Sequence, residues 1–415
     1  MMRPDWEGKA ESLFRWLTTG RGAPYTLEIH PTFKCNLHCI FCHQERERQT
    51  EFVDYSRELD SAQWLRIIDK AAREGVREVR ICGGGEPMYD LSFSLELFRR
   101  IKAHGMIGYL TTNGTMFSEE ACRLVVDLGW DKIEFSVDGA SAGSHETLRR
   151  MPGCFSRTVN AITRICALRD QLGAEIPFVI INFVVNNRNY TEIPDLVRLF
   201  GPIGVDQILL LGLHPGGEAG DSLVIPEGDK QALWDTIREA KQLATQQGMK
   251  ISEDILWAEE HIDKSGSALS TNVHSDATAT RHPSATTLSA AEEKAVRLLR
   301  SPCYEPWYYL QIIHDGYYSP CCNSYVDKST ESLHTESMET LWREGSHICK
   351  VRGDLLAGKV VGGCEKCDAV NVIKTQKIRG HLLRLCGETG FLSREAIEQI
   401  RADAHILLPG DEPDV

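Results

Sequence analysis

The sequence predicts an α/β protein: a partial (β/α)6 TIM-like barrel followed by a small cysteine-rich C-terminal domain. Three observations carry this. Strand-like and helix-like segments alternate between residues 24 and 214, the composition shifts at residue 263 and again at Cys303, and many of the 14 cysteines fall into two groups.

The first strand, 26–30, alternates polar and apolar residues. A helix follows over 61–73. Ser61 can cap it, Trp64, Leu65, Ile67, Ile68, Ala71 and Ala72 recur at helical spacing, and Gly75 follows its end. Strands over 76–82, 107–112, 132–137, 178–185 and 207–211 then alternate with helices over 91–103, 118–127, 158–171 and 191–199. Such alternation implies a parallel sheet with helices outside it. Six β/α steps fall short of the eight that close a TIM barrel, so the predicted barrel is open. Residues 227–260 read as helical, whereas 263–290, rich in Ser, Thr and Ala, read as a linker or lid. The predicted domains are an N-terminal arm (1–23), the barrel (24–215), a helical segment with linker (216–300), the cysteine-rich domain (301–370) and a helical tail (371–415).

An apolar content of 42% with 25% charged residues is that of a soluble globular chain. The net charge of −13 and the lack of a basic stripe argue against nucleic acid as a partner. No apolar run approaches the ~20 residues of a membrane span, and the N-terminus has no signal-peptide core. The expectation is a cytoplasmic protein without a membrane partner. Cytoplasmic thiols stay reduced, so the cysteines call for metal or cluster ligation.

Cys35, Cys39 and Cys42 follow CxxxCxxC spacing in EIHPTFKCNLHCIFCHQ, directly after the first strand. Three thiolates on one loop can hold three corners of a cubane and leave the fourth iron open to a small molecule. The second strand ends in ICGGGEPM, where glycines permit close backbone approach and Glu86 adds a carboxylate. The third ends in TTNG, with Thr112 and Asn113, and the fourth in FSVDG, where Ser136 and Asp138 share a face. Glu28 and His30 on the first strand, and His214 after the last, stand where side chains can reach the barrel mouth.

This set of motifs resembles the radical S-adenosylmethionine (radical SAM) superfamily, including the aromatic Phe41 before the third cysteine. The resemblance covers about 24–215 and 300–370. It implies a 4Fe-4S cluster on Cys35, Cys39 and Cys42 that binds S-adenosylmethionine. Gly84, Gly85 and Glu86 match the family's GGEP motif, which receives the methionine amino group, and Ser136 and Asp138 match its ribose-binding position. Arg149, with Arg150 as the alternative, is the counterpart of the carboxylate-binding arginine. Phe41, Asn113 and Asn182 complete the implied cofactor contacts.

Downstream, Cys303 is followed by twelve residues, Gly316, four more residues and Cys321, and Cys364 and Cys367 form a CxxC. Four thiolates can close every corner of a second cluster, which suits electron transfer or structure. The pattern resembles the twitch domain, the short form of the SPASM domain, and implies one auxiliary 4Fe-4S cluster. Cys322 competes with Cys321, the spacing from Gly316 favouring the latter, and a structural zinc site is the alternative to a cluster.

The family chemistry then implied is reductive cleavage of S-adenosylmethionine and removal of a hydrogen atom from a substrate. Oxidation, epimerisation or elimination would follow. Cys82 and Cys154 are the candidate hydrogen donors for epimerisation, and a flavodoxin or ferredoxin-type protein is the expected electron donor. Only 34 residues precede Cys35, too few for the peptide-recognition domain of about 80 residues that many peptide-modifying relatives carry. The expected substrate is therefore a small polar metabolite such as a sugar or aminocyclitol. Peptide or protein modification is the alternative, and a non-catalytic iron–sulfur or zinc protein the second. The ribose and GGEP-like motifs argue against the last, because an electron carrier needs no such pocket.

Overall fold

The computed structural model describes residues 5–42, 44–45, 54–213, 220–253, 288–322, 331–359, 364 and 369–402. His214, Cys367 and most of the 263–290 segment lie outside them.

Helix α1 (Trp6–Thr19) precedes strand β1 (Thr26–Ile29). Then come α2 (Ser61–Glu74), β2 (Glu78–Ile81), α3 (Leu91–Ala103), β3 (Ile107–Thr112), α4 (Glu119–Asp127) and β4 (Lys132–Ser136). Helices α5 (Ala142–Arg149) and α6 (Cys154–Gln171) lead to β5 (Phe178–Val185), α7 (Ile193–Phe200) and β6 (Gln207–Gly212). The α2 cap is Asp60, not Ser61: Asp60 Oδ1 accepts from Gln63 N at 2.7 Å while Gln63 Oε1 accepts from Asp60 N at 2.8 Å. This reciprocal pair satisfies two end groups at once.

The sheet exceeds the six predicted strands. Among the described residues of the 227–260 segment, a 3-10 turn over Glu227–Asp229 leads into α8 (Lys230–Gln246), which is followed by a seventh parallel strand, β7 (Lys250–Glu253). An eighth parallel strand comes from the cysteine-rich region. After α9 (Ala290–Leu299) and α10 (Glu305–Tyr308), β8 (Tyr309–Ile312) pairs with β1, Glu28 opposite Gln311, and β9 (Tyr318–Ser319) returns antiparallel beside it. Among the described residues the order is β7-β6-β5-β4-β3-β2-β1-β8-β9, with β7 and β9 at the two ends. Helices α11 (Met338–Glu344), α12 (Ser346–Leu356), α13 (Ala369–Glu388) and α14 (Arg394–Ala402) complete the described chain.

The strands are apolar toward their helices, and this outer layer forms the main core, with Val79, Phe98, Leu110, Ile133, Phe183 and Leu210 fully buried. A second core joins the two ends of the chain: Leu13 of α1 packs with Leu298, Trp307, Leu355 and Leu382. The segments predicted as arm and tail thus build one layer, because each buries an apolar stripe too narrow to form a core alone.

Candidate functional site

The loop after β1 carries Cys35, Cys39 and Cys42 and is clamped from both sides. On one side, Gly85 N donates to Thr32 O at 2.9 Å and Glu86 N to Lys34 O at 2.8 Å. A Cβ on Gly85 would stand 2.1 Å from Lys34 O, and one on Gly84 2.2 Å from the Phe33 ring. The close approach that these glycines permit is to the cysteine-bearing chain itself. On the other side, Ile40 N donates to Leu148 O at 3.0 Å and His38 N to Arg149 O at 3.4 Å.

Polar side chains fix the loop's footing. Asn113 Nδ2 donates to Asn36 Oδ1 at 3.0 Å, and Asn36 Nδ2 to Thr115 Oγ1 at 2.8 Å. The buried Glu86 carboxylate accepts from Thr112 Oγ1 at 2.6 Å, Asn113 N at 2.8 Å and Met88 N at 2.9 Å. Burial pushes its pKa up, against the Thr112 hydroxyl and the two amides. Glu86 and Asn113 thus tie the ends of β2 and β3 to the cysteine loop.

The three cysteines share one small cluster with Leu37, Phe41, Met151 and Cys154. Leu37 N donates to Cys35 Sγ at 3.4 Å, and Arg149 Nη1 stands 3.6 Å from Cys39 Sγ. The Arg149 guanidinium also lies over the Phe41 ring, 5.6 Å from its centroid. Amide donors and a fixed cation beside sulfur favour thiolate and tune a cluster, so the triad fits a cubane. In such a cubane each thiolate would hold a different iron.

Arg149 and Asp138 form a buried ion pair. Asp138 Oδ1 accepts from Val184 N at 2.8 Å, and Asp138 N donates to His145 Nδ1 at 3.1 Å. β4 ends at Ser136, one residue earlier than predicted, and Asp138 lies beyond it, fully buried against α5. Ser136, partly exposed, is the member of the predicted pair that lies on the strand. Among the described residues, Arg149 Nε and Asn182 Oδ1 are buried here without a partner, while Asp138 Oδ2 has the ion pair with Arg149 and no other polar contact. A free guanidinium donor beside the cysteine loop and a free amide acceptor on β5 suit a ligand with a carboxylate and hydrogen-bond donors, as S-adenosylmethionine has. Arg150, left-handed at φ 55° as the α5 C-cap, is exposed, which favours Arg149 between the two predicted arginines.

Inside the sheet, the register sets Gln311, Glu28, Arg80, Tyr109 and Lys132 in one row. Toward the strand ends lies a second row, in which Cys82 Sγ is 3.9 Å from Thr111 Oγ1 and Thr111 Oγ1 donates to Glu134 Oε2 at 3.1 Å. Asn182 Nδ2 donates to the same carboxylate at 3.0 Å. Three carboxylates here are held at about 2, because their contacts outweigh the upward push of burial. Glu78 has Arg80 Nε at 2.8 Å and Lys9 at 4.0 Å, and Glu134 has Lys132 Nζ at 2.7 Å. Glu28 has His30 Nε2 at 3.1 Å and Gln311 Nε2 at 2.9 Å.

Burial, reinforced by Glu28 and Glu134, raises the pKa of Cys82 and keeps it a neutral thiol facing this lumen. Cys154 sits behind the cysteine loop, fully buried, its thiol pushed up to about 11 by burial first. In the second cysteine group, Glu305 N donates to Cys303 Sγ at 3.4 Å, and Ser319 Oγ donates to Cys321 O at 2.7 Å. Cys303, Cys321 and Cys364 are partly buried and Cys322 exposed. Sequence reasoning missed Arg80, Glu134, Tyr309 and Gln311. Their signal was polar residues alternating with apolar ones in strands that helices cover on the other face, as in EVRI and KIEF.

A parallel α/β sheet whose first strand delivers a clamped cysteine triad, followed by a second thiol-bearing region, defines an iron–sulfur protein of the radical type. Residues 29–200 match the Radical SAM superfamily and residues 303–368 the SPASM iron–sulfur cluster-binding domain. The chain carries a radical SAM domain and a SPASM-type C-terminal domain, the pairing of a radical SAM enzyme with a SPASM or twitch domain. The cofactors that follow are a 4Fe-4S cluster with S-adenosylmethionine, and auxiliary iron–sulfur ligation in the second domain.

Among curated proteins, it is 28% identical to the tungsten-containing aldehyde ferredoxin oxidoreductase cofactor-modifying protein of Pyrococcus furiosus, over 46% of this chain and 51% of that one. It is 31% identical to the AdoMet-dependent heme synthase of Methanosarcina barkeri, over 51% of this chain and 57% of that one. The chain thus spans little more than half the length of these relatives. In fold it is similar to SuiB of Streptococcus suis bound to S-adenosylmethionine, with a TM-score of 0.57, 15% identity, and coverage of 82% of this chain and 71% of that one. Among the described residues no helix is long and apolar enough to cross a membrane.

Proposed function

We propose that this protein removes a hydrogen atom from a small polar substrate held in the lumen of its sheet, leading to oxidation, epimerisation or elimination. The observation that carries this reading is the polar lumen itself. Carboxylates, an imidazole, amides and hydroxyls from β1, β2, β3, β4, β5 and β8 face one another there, where a purely structural sheet would place apolar layers.

When bound, the reduced cluster with S-adenosylmethionine supplies a primary carbon radical strong enough to break an unactivated C–H bond. Cys35, Cys39 and Cys42 would hold the cluster and leave one iron open. Arg149 would offer Nε to the methionine carboxylate, Ser136 a hydroxyl to the ribose, and Asn182 Oδ1 an acceptor to the adenosine. Phe41, stacked beneath Arg149, would shield that side from water. In the second domain, Cys303, Cys321, Cys364 and Cys367 would hold the auxiliary cluster, and a flavodoxin or ferredoxin-type protein would deliver electrons. Between the two candidate hydrogen donors, Cys82 is favoured over Cys154, because its neutral thiol lines the lumen.

The test is anaerobic reconstitution, chemical reduction and assay for 5′-deoxyadenosine, followed by deuterium transfer into that product from labelled candidate metabolites. Transfer from a small polyol or amino alcohol supports the reading. Transfer only from a peptide overturns it.

A further inference from the structure

Two atoms of the lumen, one in the first row and one in the row below it, are without partners among the described residues. Glu28 accepts both its hydrogen bonds at Oε1, from Gln311 and His30, so Oε2 has none among the described residues. The hydroxyl of Tyr309 is fully buried and has no partner among the described residues. The register sets Tyr309 beside Thr26 and Gln311 beside Glu28, so the Tyr309 side chain rises from the same face of β8 that carries Gln311. Beyond burial, the first ionisable group acting on the Tyr309 hydroxyl is Glu28, followed by Cys322 and Cys82.

Charge separates Glu28 from its neighbours. Glu78 and Glu134 each have a lysine or arginine in ion-pair contact. Glu28 has no such cation among the described residues: its partners are an imidazole and an amide, and Arg80 spends its Nε on Glu78. A buried carboxylate held ionised with one oxygen free lacks a cationic donor. A buried tyrosine hydroxyl with no partner lacks an acceptor.

We infer that Glu28 and Tyr309 form a substrate subsite for an amino alcohol, Glu28 Oε2 receiving the ammonium group and the Tyr309 hydroxyl pairing with the neighbouring hydroxyl. This deepens the proposed function and rests on its placing of the substrate in the lumen. His30 and Gln311 are positioning residues, holding the carboxylate by its other oxygen. Cys82, beside both groups, would then face the carbon that bears them.

The experiment uses the full chain, reconstituted anaerobically with S-adenosylmethionine, and calorimetric titration with four matched probes: trans-2-aminocyclohexanol, cyclohexylamine, trans-1,2-cyclohexanediol and trans-2-hydroxycyclohexanecarboxylate. The amino alcohol is expected to bind at least about tenfold more tightly than the diol, the scale of one charge-assisted hydrogen bond, and the acid not at all. Glu28→Gln should erase the preference for amine over diol. Tyr309→Phe should weaken the amino alcohol while leaving cyclohexylamine unchanged, a split that a general loss of fold would not produce. Equal binding of amine, diol and acid, no binding of any probe, or an amine preference that survives Glu28→Gln overturns the inference. Formation of 5′-deoxyadenosine by the same wild-type preparation reports separately on the radical reading, which fails only if that product is missing.

Discussion

Arg149 Nη1 sits 3.6 Å from Cys39 Sγ although the two residues are 110 positions apart, and the same guanidinium pairs with Asp138. One side chain therefore joins the cysteine loop, the end of β4 and the C-terminus of α5.

Arg149→Met should destabilise the protein by about 3–5 kcal/mol, because Asp138 is left buried without its counter-charge. The double variant Arg149→Met, Asp138→Asn should recover part of that loss. Urea unfolding of the two variants measures both numbers. Equal stability of the single and double variants would show that the pair is not coupled.

Gly85→Ala places a methyl group 2.1 Å from Lys34 O and 2.6 Å from the Phe33 carbonyl carbon, both backbone atoms. The clamp on the cysteine loop must then open. The expected result is a lower iron content after reconstitution with little change in far-ultraviolet circular dichroism. Full iron loading would refute the clamp.

His145 is held at about 3, first by burial and then by the Arg149 charge, and its Nδ1 accepts from Asp138 N. Between the unperturbed 6.5 and about 3, the unfolded chain binds a proton that the folded chain does not. Stability should therefore fall as the pH drops below 6.5, by up to about 1.4 kcal/mol per pH unit for this group. In His145→Asn, which keeps an acceptor for Asp138 N, that slope should flatten. Unfolding at stepped pH across the window is the measurement.

Replacing Cys35, Cys39 and Cys42 with Ala should abolish 5′-deoxyadenosine formation. Replacing Cys303 and Cys321 should lower bound iron from about eight to about four atoms per chain and leave some uncoupled cleavage. Identical loss in both variants would contradict the division of labour between the two cysteine groups.

Elements with long, strongly periodic patterns were legible in the sequence. Helix 91–103 and strands 107–112 and 178–185 have the bounds that periodicity predicts. β7 escaped because KISE is four residues long and follows a helix without a turn signal beyond Gly248. β8 escaped because YLQI lies in a cysteine-rich stretch, and its pairing with β1 joins segments almost 300 residues apart, which no local pattern encodes. The cysteine triad and the GGEP turn were readable because their chemistry is contiguous. The engagement of Asp138 by Arg149, and the facing of Glu28 by Gln311, depend on strand order and became visible only in three dimensions.

β8 carries a consequence of its own. It is laddered directly to β1, and His30 N donates to Ile312 O at 2.9 Å just before the first cysteine loop begins. The strand that launches Cys35 and the hairpin that leads to Cys321 are therefore neighbours in one hydrogen-bonded sheet. The spacing between the start of the first cysteine loop and the hairpin before Cys321 is thus fixed by peptide hydrogen bonds within one sheet and not by a linker.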